Sequence, residues 1–252
     1  MSTAPASMVQ RVIRVLLAFE REDPSLTLSE AARRAELPVS TVRRILKELC
    51  DEKMLERTDD GSYRIGIRLF ELGLRAPAQR LLREIALPVM EDLFAATQEN
   101  VHLGVLDGTS MLVIQHVTGH RSVRTPAYFG GRLPAHATAN GKAFLAFSPQ
   151  DTIDRILGSG LSRITKHTVC SESRLRRQLE QARQDGWATA KEENSLGTVS
   201  IGAPILRNDG YAGASLSLVF RSSKADVKRY IHAVRTAANT IARIWAREQP
   251  HA

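Results

Sequence analysis

Two cysteines, Cys50 and Cys170, are the only thiols in this chain of 252 residues. That is too few for a disulfide framework, and the two are too far apart for a cysteine metal motif. The simplest reading is a reducing cytoplasm. Long apolar runs are also missing: none approaches the roughly 20 residues that cross a bilayer, so no membrane partner is expected. The opening "MSTAPASMVQRVIRV" lacks the apolar core of a signal peptide. No internal repeat and no low-complexity tract is present.

Signatures of catalysis are scarce as well. The 7 histidines are scattered, without the HExxH spacing of a zinc site. No Ser, Cys or Asp spacing around His136 forms a triad. Ser200 and Ser217 fall on expected strands, not on a sharp strand–helix turn. Glu192 and Glu193 are adjacent, so their side chains diverge, and a surface loop would solvate both. The stretch "RLPAHATANGKAFLAF" looks at first like a phosphate loop. The Walker pattern needs Ser or Thr after Gly-Lys, and a Gly five residues before the second Gly. Here Ala143 follows Lys142, and His136 holds the place of that first Gly. Neither an enzyme nor a cofactor or metal is expected.

What the chain does have is basic charge. Its net charge is +8, but residues 1–80 hold 14 Lys/Arg and 12 Asp/Glu and carry only +2 of it. A basic excess permits nucleic-acid binding without showing it, so the placement of the charges decides. "SMVQRVIRVLLAFE" spaces Val9, Val12, Ile13, Leu16 and Phe19 as one stripe of a helix, expected to be buried. "DPSL" breaks it. Thr27, with Glu30 three residues later, has the pattern of a capping box and starts a second, short helix. Pro38 disfavours helix at Leu37, and Ser40 is placed as the N-cap of a third. Two helices joined by a tight turn read as helix-turn-helix.

At about 100° per residue, Val42, Ile45, Leu46 and Leu49 gather on one side of the third helix. Ser40, Arg43, Arg44 and Lys47 gather on the other. Arginine bonds two guanine acceptors at once, and lysine and serine hold phosphates. A solvated charged face is the alternative. "MLERTDDGSYRIG" then reads as strand, Asp-Gly turn and strand, the wing of a winged helix-turn-helix. The expected DNA-facing set is Thr27, Ser40, Thr41, Arg43, Arg44 and Lys47, with Arg57 and Arg64 on the wing. The inter-helix turn lacks its usual glycine. Glu36 stands there, at a cost of roughly 1 kcal/mol or more for a positive φ.

"IRLFELGLRAPAQRLLREIALPVMEDLFAATQEN" is mostly helical; Pro77 should end or bend its first piece and Pro88 should kink its second. This divides the chain into a DNA-binding domain (1–74), a linker helix (75–87) and a second domain (88–252). In the last, "VHLGVLDGTSMLVIQHV" is a hairpin and "SVRTPAYF" a candidate third strand. "SPQDTIDRIL" opens a helix with Ser148 as cap and Pro149 at its first position. "SESRLRRQLEQARQDG" is a helix from Ser171 that stops at Gly186. "TVSIGAPILRNDGYAGASLSLVF" is a hairpin about Asp209-Gly210, and "KADVKRYIHAVRTAANTIARIWARE" is a closing helix. Hairpins with helices between them imply an antiparallel sheet covered by helices, an α+β fold.

Within this frame "HATANGKAFLAF" is a loop entering an apolar helix. Ala137, Ala139 and Gly141 are small enough for a ligand to reach the backbone. The free amides of a first turn, at the positive end of the helix dipole, favour a carboxylate. Thr138 or Asn140 caps the turn or bonds the ligand. The alternative is that the turn merely packs on the sheet.

These segments resemble the IclR family of bacterial transcription regulators over nearly the whole chain. "LTLSEAARRAELPVSTVRRILKELCDEKMLER" followed by "YRIGIRLFELG" is similar to its winged helix-turn-helix and linker entry. "GGRLPAHATANGKAFLAF" and "DGWATAKEENSLGTVSIGAPILRNDGYAGASLSL" are similar to its two effector-domain signatures. The resemblance implies a GAF-like effector domain that binds a small molecule, often an organic or aromatic acid. It also implies a homodimer or dimer of dimers on palindromic double-stranded DNA. Pocket contacts would come from the backbone of Ala139 and Asn140 and from Ser200 and Ser217. His136, Thr138 and Gly141 belong to the same first signature, and Tyr128 and Phe129 precede it. Two positions depart from the family pattern. Ala190 stands where some members are acidic, and Val219 where binders of small acids are often polar. A pocket with less charge suits an aromatic or larger ligand. An enzyme with an appended DNA-binding domain, or an architectural DNA-binding protein, are the competing readings.

Overall fold

The computed structural model describes residues 6–20, 23–75, 77–120, 122–223 and 227–248. The first residues of the expected linker and closing helices include Ala76 and residues 224–226, which lie outside the described residues. The chain divides into two compact units, Met1–Arg80 and Leu81–Ala252.

The first unit orders α1 (Met8–Leu17), β1 (Ser25–Leu26), α2 (Leu28–Ala35), α3 (Val39–Asp51), β2 (Leu55–Arg57), β3 (Tyr63–Ile65) and α4 (Ile67–Leu74). Its core is small. Val15 of α1, Ala31 and Ala35 of α2, Val42, Ile45 and Leu46 of α3, and Leu55 of β2 are all buried. The alanines of α2 let three helices approach closely where larger side chains would hold them apart. Thr27 caps α2 by accepting from the Glu30 amide. The reciprocal half of the capping box is missing, because the Glu30 carboxylate turns to Arg33 and Arg34. Glu36 does adopt the left-handed conformation, with φ 54°. The amides of Leu37 and Glu36 donate to the Ala32 and Arg33 carbonyls, a Schellman ending made without glycine. Helix α3 starts at Val39 with Pro38 at its cap, so Ser40 lies inside the first turn and does not cap it. The strands pair in the order β1-β3-β2, and β1 is a strand that the sequence pattern does not announce.

Helix α5 (Pro77–Thr97) opens on Pro77, whose missing N–H costs nothing in a first turn, and runs through Pro88 without ending. From Leu81 onward it is part of the second unit, with Leu82, Ala86, Met90 and Leu93 buried in that unit's core. The expected linker helix is therefore structural over its second half. The sheet of this unit is antiparallel, in the order β6-β5-β4-β9-β8-β7. Its strands are β4 (Asn100–Asp107), β5 (Ser110–Val117), β6 (Arg132–Pro134), β7 (Ala188–Lys191), β8 (Thr198–Leu206) and β9 (Ala212–Arg221). The third strand of the first half is thus β6; residues 122–129 are irregular. Between β6 and β7 come α6 (Ala139–Ala146), α7 (Gln150–Gly158) and α8 (Glu172–Asp185), and α9 (Val227–Glu248) closes the chain. Pro149, not Ser148, caps α7, and the Ser148 hydroxyl donates back to the Phe144 carbonyl. Gly186 ends α8 at φ 76°, as its position in the sequence indicates.

Side-chain alternation divides the sheet into two faces. Val101, Leu103, Ile201, Ala203, Leu216 and Leu218 face α5 and α9 and form the main core. The residues between them face the other way: His102 and Gly104 on β4, Ser200 and Gly202 on β8, and Ser215, Ser217 and Val219 on β9. Helix α6 lies against that second face, and its whole length is buried. Gly202 makes this possible, because a Cβ there would stand 2.5 Å from the Ala139 carbonyl oxygen.

Candidate DNA-binding and ligand sites

In the first unit, α3 carries an inner stripe of Val42, Ile45 and Leu46 and an outer face of exposed Ser40, Arg43, Arg44 and Lys47; Thr41 is half-buried between them. Arg43 and Lys47 have no ion pair among the described residues, and Arg44 lies 3.9 Å from Glu48. Arg34, by contrast, is committed to the scaffold. It pairs with Asp23 at 2.5 Å, contacts Glu20 and Glu30, and donates to the Ala18 carbonyl. Thr27 is exposed, with its hydroxyl used in capping α2. The wing arginines point to opposite faces. Arg57 stands opposite Tyr63 and lies over its ring, while Arg64 stands opposite Glu56 and is bound to it at 2.8 Å. One docking surface therefore cannot use both in the same way. At the wing tip, the Thr58 hydroxyl and the Ser62 amide and hydroxyl hold the Asp60 carboxyl below its usual range.

In the second unit, a small cleft, with a cavity volume of about 40 Å³, lies between the α6 face of the sheet, the start of α6 and two loops. Seven of the expected residues line it: Thr138, Ala139, Asn140, Ala190, Ser200, Ser217 and Val219. They come together because Ala190, Ser200 and Val219 form one row across β7, β8 and β9, and Gly202, Ser217 and His102 form the next. Thr138 is the cap of α6: its hydroxyl accepts from the Gly141 amide at 3.1 Å and donates to the Pro134 carbonyl at 3.3 Å. The Asn140 side chain bonds Ser215 beneath the helix, so what Asn140 can offer a ligand is its backbone. As the first helical residues, Ala139 and Asn140 have amides without an intrahelical acceptor.

Four expected residues do not line the cleft. The His136 ring bonds the Ser162 carbonyl at 3.0 Å, away from the cavity. Gly141 is needed for packing, since a Cβ there would lie 2.1 Å from the Ala135 carbonyl oxygen. Tyr128 packs beside Gly131, and the Phe129 ring sits under the Arg83 guanidinium of α5, 4.7 Å from its centroid. The loop wall is instead supplied by their neighbours Thr125, Pro126 and Ala127.

Further lining groups were not expected: His102, Leu133, Thr198 and the loop from Glu193 to Ser195. His102 is legible in hindsight, because it alternates with the core residues Val101 and Leu103 and so faces Ser217. Burial, followed by the neighbouring His116, pushes its pKa down to about 4, so the ring is neutral at physiological pH. Glu193 is not solvated. Its carboxylate meets the Lys142 ammonium at 2.5 Å and accepts from the Val169 amide at 3.3 Å. Lys142 is 1% exposed, and burial pushes its pKa down against the opposing pull of Glu193. Its pairing joins the floor helix of the cleft to the Glu193 wall. Glu192 diverges to the surface and meets His167 at 3.3 Å. "HVTGH" spaces His116 and His120 four residues apart, but His116 lies within β5, not on a helix that would bring the two to one face. No group of three or more His, Cys, Asp or Glu among the described residues is placed to hold a metal. Among the same residues no helix is long and apolar enough to cross a membrane.

Comparison with known proteins gives the same two-part division. A family model described as "Bacterial transcriptional regulator IclR C-terminal" matches residues 76–243, and one described as "IclR helix-turn-helix domain" matches residues 8–59. The chain is similar to the transcriptional regulator KdgR of Dickeya chrysanthemi, with 31% identity over 93% of this chain and 78% of that one. It is also similar to the transcriptional repressor AllR of Escherichia coli K12, with 29% identity over 90% and 84%. Among solved structures, an IclR homologue from Microbacterium hydrocarbonoxydans complexed with 4-hydroxybenzoate superposes with a TM-score of 0.90. It is 34% identical, over 96% of this chain and 100% of that one. The Thermotoga maritima IclR superposes with a TM-score of 0.77 at 27% identity, over 94% and 98%.

Proposed function

Because the chain belongs to the IclR family of bacterial transcriptional regulators, with a helix-turn-helix DNA-binding domain and a C-terminal effector-binding domain, we propose that its effector is an aromatic carboxylic acid held in the cleft at the start of α6. One observation carries this reading. The leading amides of α6 meet a cleft whose sheet wall carries Ala190 and Val219 on either side of Ser200. The helix end supplies an anion site, and the apolar wall suits a ring better than a two-carbon acid. The complex of the similar Microbacterium protein makes 4-hydroxybenzoate the first ligand to try. The domain senses its ligand without turning it over, and its work at DNA places it in the cytoplasm.

DNA recognition in this reading runs through Arg43, Arg44 and Lys47, with Thr27, Ser40, Thr41 and one of the two wing arginines, Arg57 or Arg64, near the backbone. The active species is a homodimer, alone or paired as a dimer of dimers. Val9, Ile13 and Leu17 form an exposed stripe on α1, and Ile67, Phe70 and Leu74 another on α4, which supports self-association. Two copies would place their α3 helices about one DNA turn apart, ~34 Å or a multiple, on a palindromic operator. Ligand occupancy shifts the balance between arrangements that bind operator differently. The test is calorimetric titration of the full chain with benzoate, 4-hydroxybenzoate and glyoxylate, beside an operator-binding assay with and without each. Aromatic acids should bind and change operator affinity. Binding of glyoxylate alone would overturn the aromatic reading.

A further inference from the structure

We propose that His102 reads a hydroxyl on the end of the aromatic ring remote from the carboxylate. The inference rests on the reading of the cleft as a carboxylate site and extends it to the ligand's other end. His102 is 3% exposed and lines the cleft. Its ring touches His116 edge-on, with centroids 6.4 Å apart, but no described residue is hydrogen-bonded to its imidazole. The imidazole thus lines the cleft with its donor and acceptor uncommitted to any described residue, and the space it faces is the cavity itself.

The chemistry of the ring selects the partner. A charged imidazolium would call for a second carboxylate. This ring is kept neutral by burial and by His116, with its pKa near 4. A neutral imidazole offers one donor and one acceptor, which matches a hydroxyl. Position agrees with this. The Asn140 amide nitrogen stands over Gly202, 2.9 Å from where a Cβ would be. Gly202, Ser217 and His102 are consecutive members of one cross-strand row. Two strand spacings separate the ends of that row, roughly 9–10 Å between backbones. Strand side chains stand roughly perpendicular to the sheet, so the imidazole and the α6 amides are offset along it by about that separation, a distance on the scale of one ring carrying groups at its two ends.

Calorimetry on the full chain tests this with two probes, benzoate and 4-hydroxybenzoate. Wild type should bind the hydroxylated acid about tenfold more tightly or better, since a site built for a hydroxyl discriminates against its absence. In His102→Leu that preference should fall to near one. His102→Gln, which keeps a donor and an acceptor, should restore part of it. Equal binding of both acids by wild type, or an unchanged preference in His102→Leu, would overturn the role of His102 and leave the carboxylate site standing. Failure of both acids to bind wild type would remove the aromatic reading and this inference with it. Should His102→Leu not fold, imidazole NMR of wild type decides: the ring signals must respond differently to the two acids, and an identical response sinks the proposal.

Discussion

Removing either member of the Lys142–Glu193 pair should destabilise the second unit, with opposite pH dependence for the two variants. Glu193→Gln leaves a lysine that is 1% exposed without its counter-ion. Breaking a buried pair by removing one partner costs about 3–5 kcal/mol. A ceiling follows from proton chemistry, because a stranded charge can always neutralise. The ordinary lysine value of 10.5 lies about 3.5 units above pH 7, which caps the loss near 4.8 kcal/mol. For Lys142→Met the stranded group is a carboxylate; an ordinary glutamate value of about 4.3 caps the loss near 3.7 kcal/mol. In Glu193→Gln the unfolded chain binds the lysine proton that the folded chain has shed, so stability rises with pH by up to about 1.4 kcal/mol per unit. In Lys142→Met the folded chain holds the extra proton, so stability falls as pH rises. The double variant should recover more than half of the single losses and follow the wild-type pH dependence. Guanidinium unfolding at pH 6, 7 and 8 measures all of this. Tryptophan fluorescence is a clean reporter, because the only two tryptophans, Trp187 and Trp245, lie in the second unit. Slopes of the same sign in both variants, or losses that simply add, would refute the pairing as described.

Arg43→Ala and Arg44→Ala should each weaken operator binding, by about 1–3 kcal/mol where a base contact is lost, with unchanged circular dichroism and melting; operator affinity equal to wild type at matched salt would discard α3 as the reading helix. Ala139→Leu should abolish the response to ligand while sparing operator binding in its absence, because Ala139 is fully buried at the cleft floor; a retained response in an operator-release assay would show that the ligand sits elsewhere. His102 sets an acid limit on the fold: its folded value near 4 lies below the ordinary 6.5, so stability is full above pH 6.5 and falls by up to roughly 3 kcal/mol towards pH 4. Unfolding curves of wild type and His102→Leu over that range should diverge as the pH is lowered, and parallel curves would contradict a buried neutral ring.

Periodicity and punctuation made most of the fold legible. The α3 stripe, the Asp-Gly turns of the hairpins, Ser171 and Gly186 around α8, and Glu36 in its left-handed turn are local patterns, and local physics decides them. Misplacements occurred where two caps compete. Pro38 and Pro149 took positions assigned to Ser40 and Ser148, because a proline's fixed φ suits the residue that enters a helix. The unannounced β1 is a tertiary event, since two residues become a strand only when β3 lies beside them.

The site was legible along its backbone and obscure in its charges. "GASLSLVF" and "NVHLGVLD" alternate, and that alternation alone puts Ser217, Val219 and His102 on one face. Long-range pairing of side chains left no trace in spacing. Lys142 and Glu193 are 51 residues apart, and each is unremarkable in its own segment. Together they become the buried joint between the α6 floor and the Glu193 wall. Phe129 shows the converse, for its nearness to the first signature suggested the cleft, whereas Arg83 on α5 holds its ring. Both cases follow from one rule. A charged or aromatic side chain takes its role from whatever desolvates it, and in a helix-covered sheet that partner comes from a distant element. The small residues of α6 escape the rule, because close backbone approach needs only the absence of a side chain, which a sequence states outright.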